Sequence, residues 1–171
     1  MPSSRPPTDD ELDAAARRLE RALVARDWQM ASAESCTGGL VGHVITQVPR
    51  SSDHFLGGIV SYANAAKEEL LDVPSDLLER VGAVSAEVAE AMTTGALTRF
   101  PAANMSIAVT GVAGPDGGSA EKPVGLTYVA AAVRDGAAVV ERHVWPHDRD
   151  GNKRASALAA LELATRVASE A

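Results

Sequence analysis

The chain has 171 residues, of which 46% are hydrophobic and 23% charged, and its net charge is −7. This length predicts one domain of roughly the ~150 residues that are typical and excludes two large domains. The acidic balance argues against binding to nucleic acid or to an anionic membrane. A single cysteine excludes a disulfide framework and a zinc module. Because no run approaches ~18 apolar residues, we expect a cytoplasmic protein without a membrane span.

The N-terminal segment divides into a tail and the start of a domain. Residues 1–8 contain three prolines and almost nothing apolar, which predicts a flexible Pro-rich tail. Residues 9–171 are predicted to form a single domain. Its first element is an amphipathic helix that follows Thr8, has an acidic first turn at 9–11 and ends near Arg26.

The rest of the chain alternates strand-like and helical patterns. We predict strands at 29–33, 55–62 and 105–110, and a hairpin of 124–133 with 138–144 around Asp135-Gly136. Helices are predicted from 40 to 48, from 65 to 71 with Asn64 as N-cap, from 85 to 100 and from about 150 to 168. This order predicts a three-layer α/β/α sandwich with a mixed, mostly parallel sheet of about five strands.

Three polar or glycine-rich segments follow predicted strands, where ligands collect in open sheets of this kind. They span residues 34–39, 62–67 and 110–118. Ser35 could act as a nucleophile there, but its position before Gly38-Gly39 alone favours a helix N-cap. The surrounding sequence is neither a Gly-x-Ser-x-Gly elbow nor a Ser-x-x-Lys motif, which excludes both familiar kinds of serine hydrolase.

Other residues in these segments have a functional and a structural interpretation. Cys36 is either a reactive thiol at a helix N-terminus or, as the residue type favours, a small buried one. Lys67 stands in the first turn of its helix, where the helix dipole disfavours a cation, so its placement invites a functional role, although a solvated lysine is the commoner case. The glycines from Gly111 to Gly118 would let backbone amides approach a phosphate, or simply form a long turn. His143 and His147 are four residues apart, but Pro146 between them prevents the helical geometry of a metal pair, and His43 and His54 read as structural or solvated, so we expect no catalytic metal.

Four segments taken together resemble one protein family. They are Ala-Glu-Ser-Cys-Thr-Gly-Gly (33–39), Val-Ser-Tyr-Ala-Asn-Ala-Ala-Lys (60–67), Gly-Ala-Val-Ser (82–85) and Thr-Gly-Val-Ala-Gly-Pro-Asp-Gly-Gly-Ser-Ala-Glu-Lys-Pro-Val-Gly (110–125). In this order they resemble the CinA C-terminal family, the nicotinamide-nucleotide amidohydrolases, from about Asp9 onward. The resemblance implies hydrolysis of the carboxamide of nicotinamide mononucleotide to nicotinic acid mononucleotide and ammonia, within pyridine-nucleotide salvage.

The resemblance also implies roles for individual residues. Ser35 falls on the family's nucleophilic serine, and Tyr62 and Lys67 fall on its general acid/base pair, which reverses the cap interpretation of Ser35. A serine that attacks the amide needs neither a metal nor a bound cofactor. The substrate-binding residues that we expect lie in the two glycine-containing segments: Glu34, Thr37, Gly38, Gly39, Thr110, Gly111 and Gly114.

Several alternatives stay open at this stage. The chain could be a non-catalytic module that binds pyridine nucleotides, or a hydrolase of another primary amide, because selectivity depends on pocket shape. The segment 146–150 follows the family's Asp-Arg segment only loosely, which leaves open whether Arg149 or Arg154 binds phosphate. Alanine-rich helix faces leave room for a homodimer.

Overall fold

The structure is a computed structural model that describes residues 5–171. A five-stranded sheet and the helices that cover it are the elements of this part of the chain, together with a short 3-10 turn at Ser51–Asp53. In chain order they are α1 (Asp9–Val24), β1 (Met30–Glu34), α2 (Leu40–Thr46), β2 (Phe55–Val60), α3 (Asn64–Leu71), α4 (Ser75–Val81), α5 (Ala86–Arg99), β3 (Met105–Gly111), β4 (Leu126–Val133), β5 (Val139–Val144) and α6 (Arg149–Glu170).

The strands form one mixed sheet in the order β2-β1-β3-β4-β5. Strand β1 lies at its parallel centre, paired with β2 on one side and β3 on the other. Strand β4 runs antiparallel to both β3 and β5, so four of the five strands point in the same direction. The predicted fold class is therefore confirmed, including the hairpin, whose Asp135 adopts a positive φ of 63°.

Alternating side chains of the strands pack against helices on the two faces of the sheet. Met30, Ile107 and Val129 pack on one face of the sheet with apolar residues of α1, α2 and α6. Ala33 and Ala108, on the opposite face, pack with apolar residues of α3, α4 and α5. Since consecutive strand residues point to opposite faces, this alternation is what holds a helix layer on each side of the sheet.

Two helix starts have the caps that their sequences favour. The Thr8 side chain accepts from the amide of Glu11, and the Glu11 carboxylate accepts from the amide of Thr8 at 2.8 Å, which completes a capping box for α1. Ser85 caps α5 by accepting from the amide of Val88. The expectation for α3 was wrong, because the helix begins at Asn64 itself and its N-cap, Ala63, has no side-chain hydrogen bond.

The structure contains one helix that the sequence did not predict, and it describes part of the predicted tail. The short helix α4 was not predicted, since Pro74 was read only as the end of the preceding helix, whereas it is the N-cap of α4. Of the predicted tail 1–8, residues 1–4 lie outside the described part of the chain. Arg5 donates to the Glu11 carboxylate, and Pro7 is buried, with its carbonyl accepting from Arg154.

Candidate active site

The candidate site lies where three strands end at the same edge of the sheet. Because β2, β1 and β3 are parallel neighbours, their carboxyl ends bring together residues 34–39, 61–67 and 110–118. This edge is where ligands bind in open α/β sheets. The structure thus brings the three polar segments together at one edge of the sheet.

A tight turn follows β1 and carries Ser35. The carbonyl of Ser35 accepts from the amide of Gly38 at 3.0 Å, and Gly38 and Gly39 have positive φ values of 62° and 100°. Gly39 is the N-cap of α2, with no side-chain cap hydrogen bond. The interpretation of Ser35 as a helix cap is therefore wrong. Within residues 5–171, the amides of Cys36 and Thr37 make no hydrogen bond to the backbone of another residue, and the Cys36 amide contacts its own thiol.

The carboxylate of Glu34 stabilises this turn by accepting hydrogen bonds from it. Its side chain is 2% exposed, and its two carboxylate oxygens accept from the amides of Gly39, Val41 and Gly42 at 2.9–3.1 Å. The Thr37 hydroxyl donates to the same carboxylate at 2.6 Å. The structure thus places Glu34 and Thr37, both expected to bind substrate, in contacts within the protein that fix the start of α2.

Ser35 lies beside the buried amine of Lys67. The two side chains project from β1 and α3, and the Lys67 Nζ is 2.9 Å from the Ser35 Oγ. The same Nζ donates to the carbonyl of Ser61 at 2.7 Å and to the carbonyl of Tyr62 at 3.2 Å. Lys67 is only 1% exposed. A long cationic side chain is rarely buried without a carboxylate, and none forms an ion pair with Lys67 among the described residues.

Burial lowers the pKa of Lys67. Removing the ammonium from water without a counter-ion lowers the pKa of Lys67 below its ordinary value of 10.5. A thiolate at Cys36 would raise it, but burial raises the pKa of the Cys36 thiol to about 12. Cys36 is therefore a neutral thiol at physiological pH, and the amine of Lys67 is shifted toward its neutral, proton-accepting form.

Cys36 points away from Ser35. Its thiol packs in the core between the sheet and α1, α2 and α6, and 6% of the residue is exposed. Ser35 contacts Lys67 of α3, on the opposite face of the sheet. The prediction of a small buried thiol is confirmed, and the reactive-thiol alternative is wrong because burial raises the pKa and the thiol faces the core.

The phenol of Tyr62 lies apart from the Ser35–Lys67 pair. Its backbone carbonyl contacts Lys67, while its ring is 61% exposed and its hydroxyl accepts from Arg149 at 3.1 Å. Arg149, the first residue of α6, also donates to the carbonyl of Gly114 at 2.6 Å. Arg149 therefore links the segment after β2 to the glycine-rich loop after β3.

The remaining predicted binding residues shape the loop after β3. Thr110 is buried and donates to the carbonyl of Ala83 at 2.8 Å, which joins the end of β3 to the segment before α5. A Cβ on Gly111 would lie 2.6 Å from the carbonyl oxygen of Leu126, so the closeness of β4 requires glycine there. Gly114 has a positive φ of 86°, and a Cβ there would clash with Val124 at 2.4 Å.

Sequence reasoning missed one basic residue near the site. The Lys153 Nζ lies 3.9 Å from the place that a Cβ on Gly38 would occupy. Lys153 follows Arg149 by four residues on α6, and a basic i,i+4 pair was the signal available in the sequence. Arg154, which the sequence left as a phosphate candidate, instead contacts Asp9, Asp150 and the carbonyl of Pro7.

Residues 5–171 contain neither a metal-binding cluster nor a membrane-spanning helix. These residues contain no group of three or more His, Cys, Asp or Glu side chains arranged to hold a metal ion. None of the helices in the same range is both long enough and apolar enough to cross a membrane.

The sequence of the chain matches a known protein family. The model of the CinA C-terminal domain matches residues 12–168, which is nearly the whole described chain. The chain belongs to the CinA C-terminal domain family. This confirms the resemblance of the four sequence segments, which include both Ser35 and Lys67.

Relatives of the CinA family differ in length and in the names they carry. A nicotinamide-nucleotide amidohydrolase, PncC, of Enterobacter agglomerans is 43% identical over 145 residues, covering 85% of this chain and 88% of that protein. A CinA-like protein of Geobacter sulfurreducens is 46% identical over 158 residues, 92% of this chain but 37% of that protein. The chain spans about a third of the length of such CinA-like relatives.

Solved structures of CinA proteins share the fold. A CinA superfamily protein of Klebsiella pneumoniae superimposes with a TM-score of 0.89 at 29% identity, covering 94% of this chain and 99% of that one. The competence/damage inducible protein of Agrobacterium tumefaciens gives a TM-score of 0.87 at 37% identity, over 99% of this chain and all of that one. The fold is thus that of CinA domains of similar size.

Proposed function

We propose that the protein hydrolyses the carboxamide of nicotinamide mononucleotide to nicotinic acid mononucleotide and ammonia. The observation that carries this proposal is the 2.9 Å contact between the Ser35 hydroxyl and the buried, unpaired amine of Lys67. A serine next to a neutral amine is an activated nucleophile for acyl transfer. The PncC name of a 43% identical relative supports the choice of substrate. Pyridine-nucleotide salvage in the cytoplasm is the setting that this reaction implies.

The hydrogen-bond partners of Lys67 suit a neutral amine. A neutral amine has two N–H donors and one lone pair. The carbonyls of Ser61 and Tyr62 accept the two N–H groups, which leaves the lone pair for the proton of the Ser35 hydroxyl. Lys67 therefore acts as general base without changing its other two contacts.

The reaction proceeds in two acyl-transfer steps. The Ser35 Oγ forms a bond to the amide carbon as its proton passes to Lys67, and the carbonyl oxygen becomes an oxyanion. Protonation of the amide nitrogen by Lys67 then breaks the C–N bond, releases ammonia and leaves a nicotinoyl ester on Ser35. Water, deprotonated by the neutral lysine, hydrolyses the ester to the carboxylate and restores the serine.

Two other groups have proposed roles in these steps. The amides of Cys36 and Thr37, which make no hydrogen bond to the backbone of another described residue, are the proposed donors to the oxyanion. Tyr62 is proposed to assist in protonating the leaving nitrogen. The phenol accepts its hydrogen bond from Arg149, so its own O–H remains available to donate to the leaving nitrogen.

The test measures ammonia release from nicotinamide mononucleotide by the purified protein. Ser35→Ala should abolish turnover while the folded state, followed by circular dichroism, is unchanged. Cys36→Ala is the matched control, because it removes the adjacent side chain from the opposite face and should retain most of the activity. Since Ser35 and Lys67 need no metal, EDTA should have no effect.

Three results would contradict the proposal. Loss of turnover in EDTA that a divalent ion restores would refute the metal-free mechanism. An active Ser35→Ala protein beside an inactive, folded Cys36→Ala protein would reverse the assignment of the nucleophile. Binding of the mononucleotide without turnover by the wild-type protein would instead favour a non-catalytic nucleotide-binding module.

A further inference from the structure

Two serine hydroxyls are buried in the sheet without a hydrogen-bond partner. Among residues 5–171, the buried side-chain oxygen and nitrogen atoms that make no hydrogen bond are the Oγ atoms of Ser32 and Ser61. Both residues are 0% exposed. An unpaired buried hydroxyl costs free energy, and such groups in native proteins are explained by ordered water, by strain or by a role in catalysis. The place of each serine in the sheet decides which explanation applies.

Ser61 lies across from Ser35 in the sheet. The amide of Ser61 donates to the carbonyl of Glu34 at 2.8 Å, which extends the parallel pairing of β1 with β2, so that Ser35 and Ser61 form the next pair. Since alternate residues share a face, Ser61 points to the same face as Ile59, which packs with apolar residues of α3, α4 and α5. This is the face on which Ser35 contacts Lys67.

The backbone of Ser61 already holds the amine of the site. Its carbonyl accepts from the Lys67 Nζ at 2.7 Å, so the hydroxyl of the same residue lies in the immediate surroundings of that amine. Because this hydroxyl makes no hydrogen bond among the described residues, it can rotate about the Cα–Cβ bond to a new partner without losing one. On the β3 side of Ser35, by contrast, the Thr110 hydroxyl already donates to the carbonyl of Ala83.

Hydrolysis of an acyl-enzyme requires a further polar group near Lys67. In the free protein, the Ser35 hydroxyl fills the third hydrogen-bond position of the Lys67 amine. Once Ser35 carries an acyl group, that hydroxyl is gone, and the attacking water has to take its place at the amine. Buried waters typically make about three hydrogen bonds, and a water held by Lys67 alone could turn about a single one. A second acceptor fixes the direction of its lone pairs.

We propose that the Ser61 hydroxyl, together with the Lys67 amine, holds the water that removes the acyl group from Ser35. This inference rests on the proposed function, which places an ester on Ser35. The water donates one hydrogen to the Lys67 Nζ and the other to the Ser61 Oγ, so that a lone pair faces the ester carbon. The first proton passes to Lys67 as the new C–O bond forms and returns to the Ser35 Oγ when the ester bond breaks. The second hydrogen stays on the product acid, which then ionises, and Ser61 itself transfers no proton.

The two unpartnered serines provide a matched pair of variants. Ser61→Ala removes the hydroxyl beside Lys67. Ser32→Ala removes the other one, which faces the opposite side of the sheet because Ser32 alternates with Ala33. Since neither hydroxyl has a partner in the protein, both variants should keep or raise the wild-type Tm. Ser61→Thr retains a hydroxyl at the same position and serves as the conservative variant.

Rapid-quench kinetics with nicotinamide mononucleotide separate the two chemical steps. Ammonia leaves when Ser35 is acylated, whereas nicotinic acid mononucleotide leaves only when the ester is hydrolysed. Ser61→Ala should slow the second step at least about fivefold, the effect of losing one hydrogen bond to a buried group. Ammonia should then appear in a burst equal to the amount of enzyme, with a nicotinoyl ester on Ser35 detected by mass spectrometry of the quenched protein. Ser61→Thr should restore most of the rate, and Ser32→Ala should behave as the wild type.

A second acyl donor makes the test independent of the substrate. p-Nitrophenyl acetate transfers an acetyl group to activated serines, and loss of that group from isolated acetyl-Ser35 measures ester hydrolysis directly. Unchanged hydrolysis in Ser61→Ala, equal slowing in Ser32→Ala, or no recovery in folded Ser61→Thr would overturn the role of Ser61. A large loss of Tm in Ser61→Ala would also overturn it, because the hydroxyl would then have a structural partner.

The outcomes separate this inference from the proposed function. If loss of the acetyl group depends on Ser61 but the wild-type protein releases no ammonia from nicotinamide mononucleotide, the role of Ser61 stands and the amidase proposal fails. If ammonia is released and Ser61→Ala hydrolyses both esters at the wild-type rate, the amidase stands and the role of Ser61 fails. If neither reagent acylates Ser35, both are overturned.

Discussion

Replacing Glu34 by glutamine tests whether the carboxylate supports the turn or binds substrate. In the structure one oxygen accepts from the Thr37 hydroxyl and from the amides of Gly39 and Val41, and the other oxygen accepts from the amide of Gly42. Glutamine has the same shape but one acceptor oxygen and one donor nitrogen. Whichever way its amide turns, at least one buried N–H of the turn faces another donor.

The expected loss of stability in Glu34→Gln follows from these four hydrogen bonds. A buried donor left without an acceptor costs about 1–3 kcal/mol, and each surviving bond loses about 1 kcal/mol on going from a charged to a neutral acceptor. Relief from burying a charge offsets part of this cost. We expect Glu34→Gln to lower the free energy of unfolding by roughly 2–4 kcal/mol, which lowers Tm by about 5–15 °C in a chain of this size.

Urea unfolding and thermal melts measure this change, and ammonia release reports on the site. Glu162→Gln, the same chemical change at an exposed position on α6, is the matched control and should shift stability by less than about 0.5 kcal/mol. Because Ser35 belongs to the turn that Glu34 supports, kcat should also fall in Glu34→Gln. An unchanged Tm with a raised KM would refute the supporting role and favour direct substrate binding.

Two further changes probe Lys67 and the loop after β3. The proposed reaction needs neutral Lys67, whose pKa burial lowers, so wild-type kcat/KM should rise with pH through that pKa. Lys67→Met and Lys67→Arg should both be inactive and show no such rise, because neither side chain can accept a proton in this range. An active Lys67→Arg protein would show that this residue supplies only charge. Gly114→Ala adds a clash with Val124 to an unfavourable positive φ and should raise KM by displacing Arg149. Gly117→Ala has a similar φ, but its nearest neighbour, Val112, is at an ordinary contact distance of 4.0 Å, so it should cost about 1–2 kcal/mol of stability and leave KM unchanged.

The general arrangement of the fold was predictable because hydrophobic periodicity reports it directly. Alternation of strands and helices and the hairpin at Asp135-Gly136 follow from local signals that the structure confirms. The meeting of three polar segments at one sheet edge follows from the parallel strand order. Helix α4 escaped prediction since seven residues carry too little periodicity, and Pro74 reads equally as an end or a start.

The contacts within the site could not be read from the chain in the same way. Nothing local shows that Glu34 turns inward to α2, or that the Tyr62 phenol meets Arg149 across 87 residues of sequence. Lys153 was missed because its closeness to Gly38 depends on how α6 packs beside the turn after β1. Such facts depend on tertiary packing, whereas the positions of Ser35 and Lys67 follow from the end of β1 and the start of α3.

The partners of Lys67 explain how the site can move a proton with little rearrangement. The carbonyls of Ser61 and Tyr62 accept N–H groups whether the amine is charged or neutral, so they hold the Nζ in place in both forms. Only the third partner, the Ser35 hydroxyl, can either donate to a neutral amine or accept from an ammonium. Proton transfer across the 2.9 Å contact therefore reverses one hydrogen bond and leaves the other two unchanged. A preorganised contact of this kind lowers the barrier because the protein does not have to reorient its dipoles during the reaction.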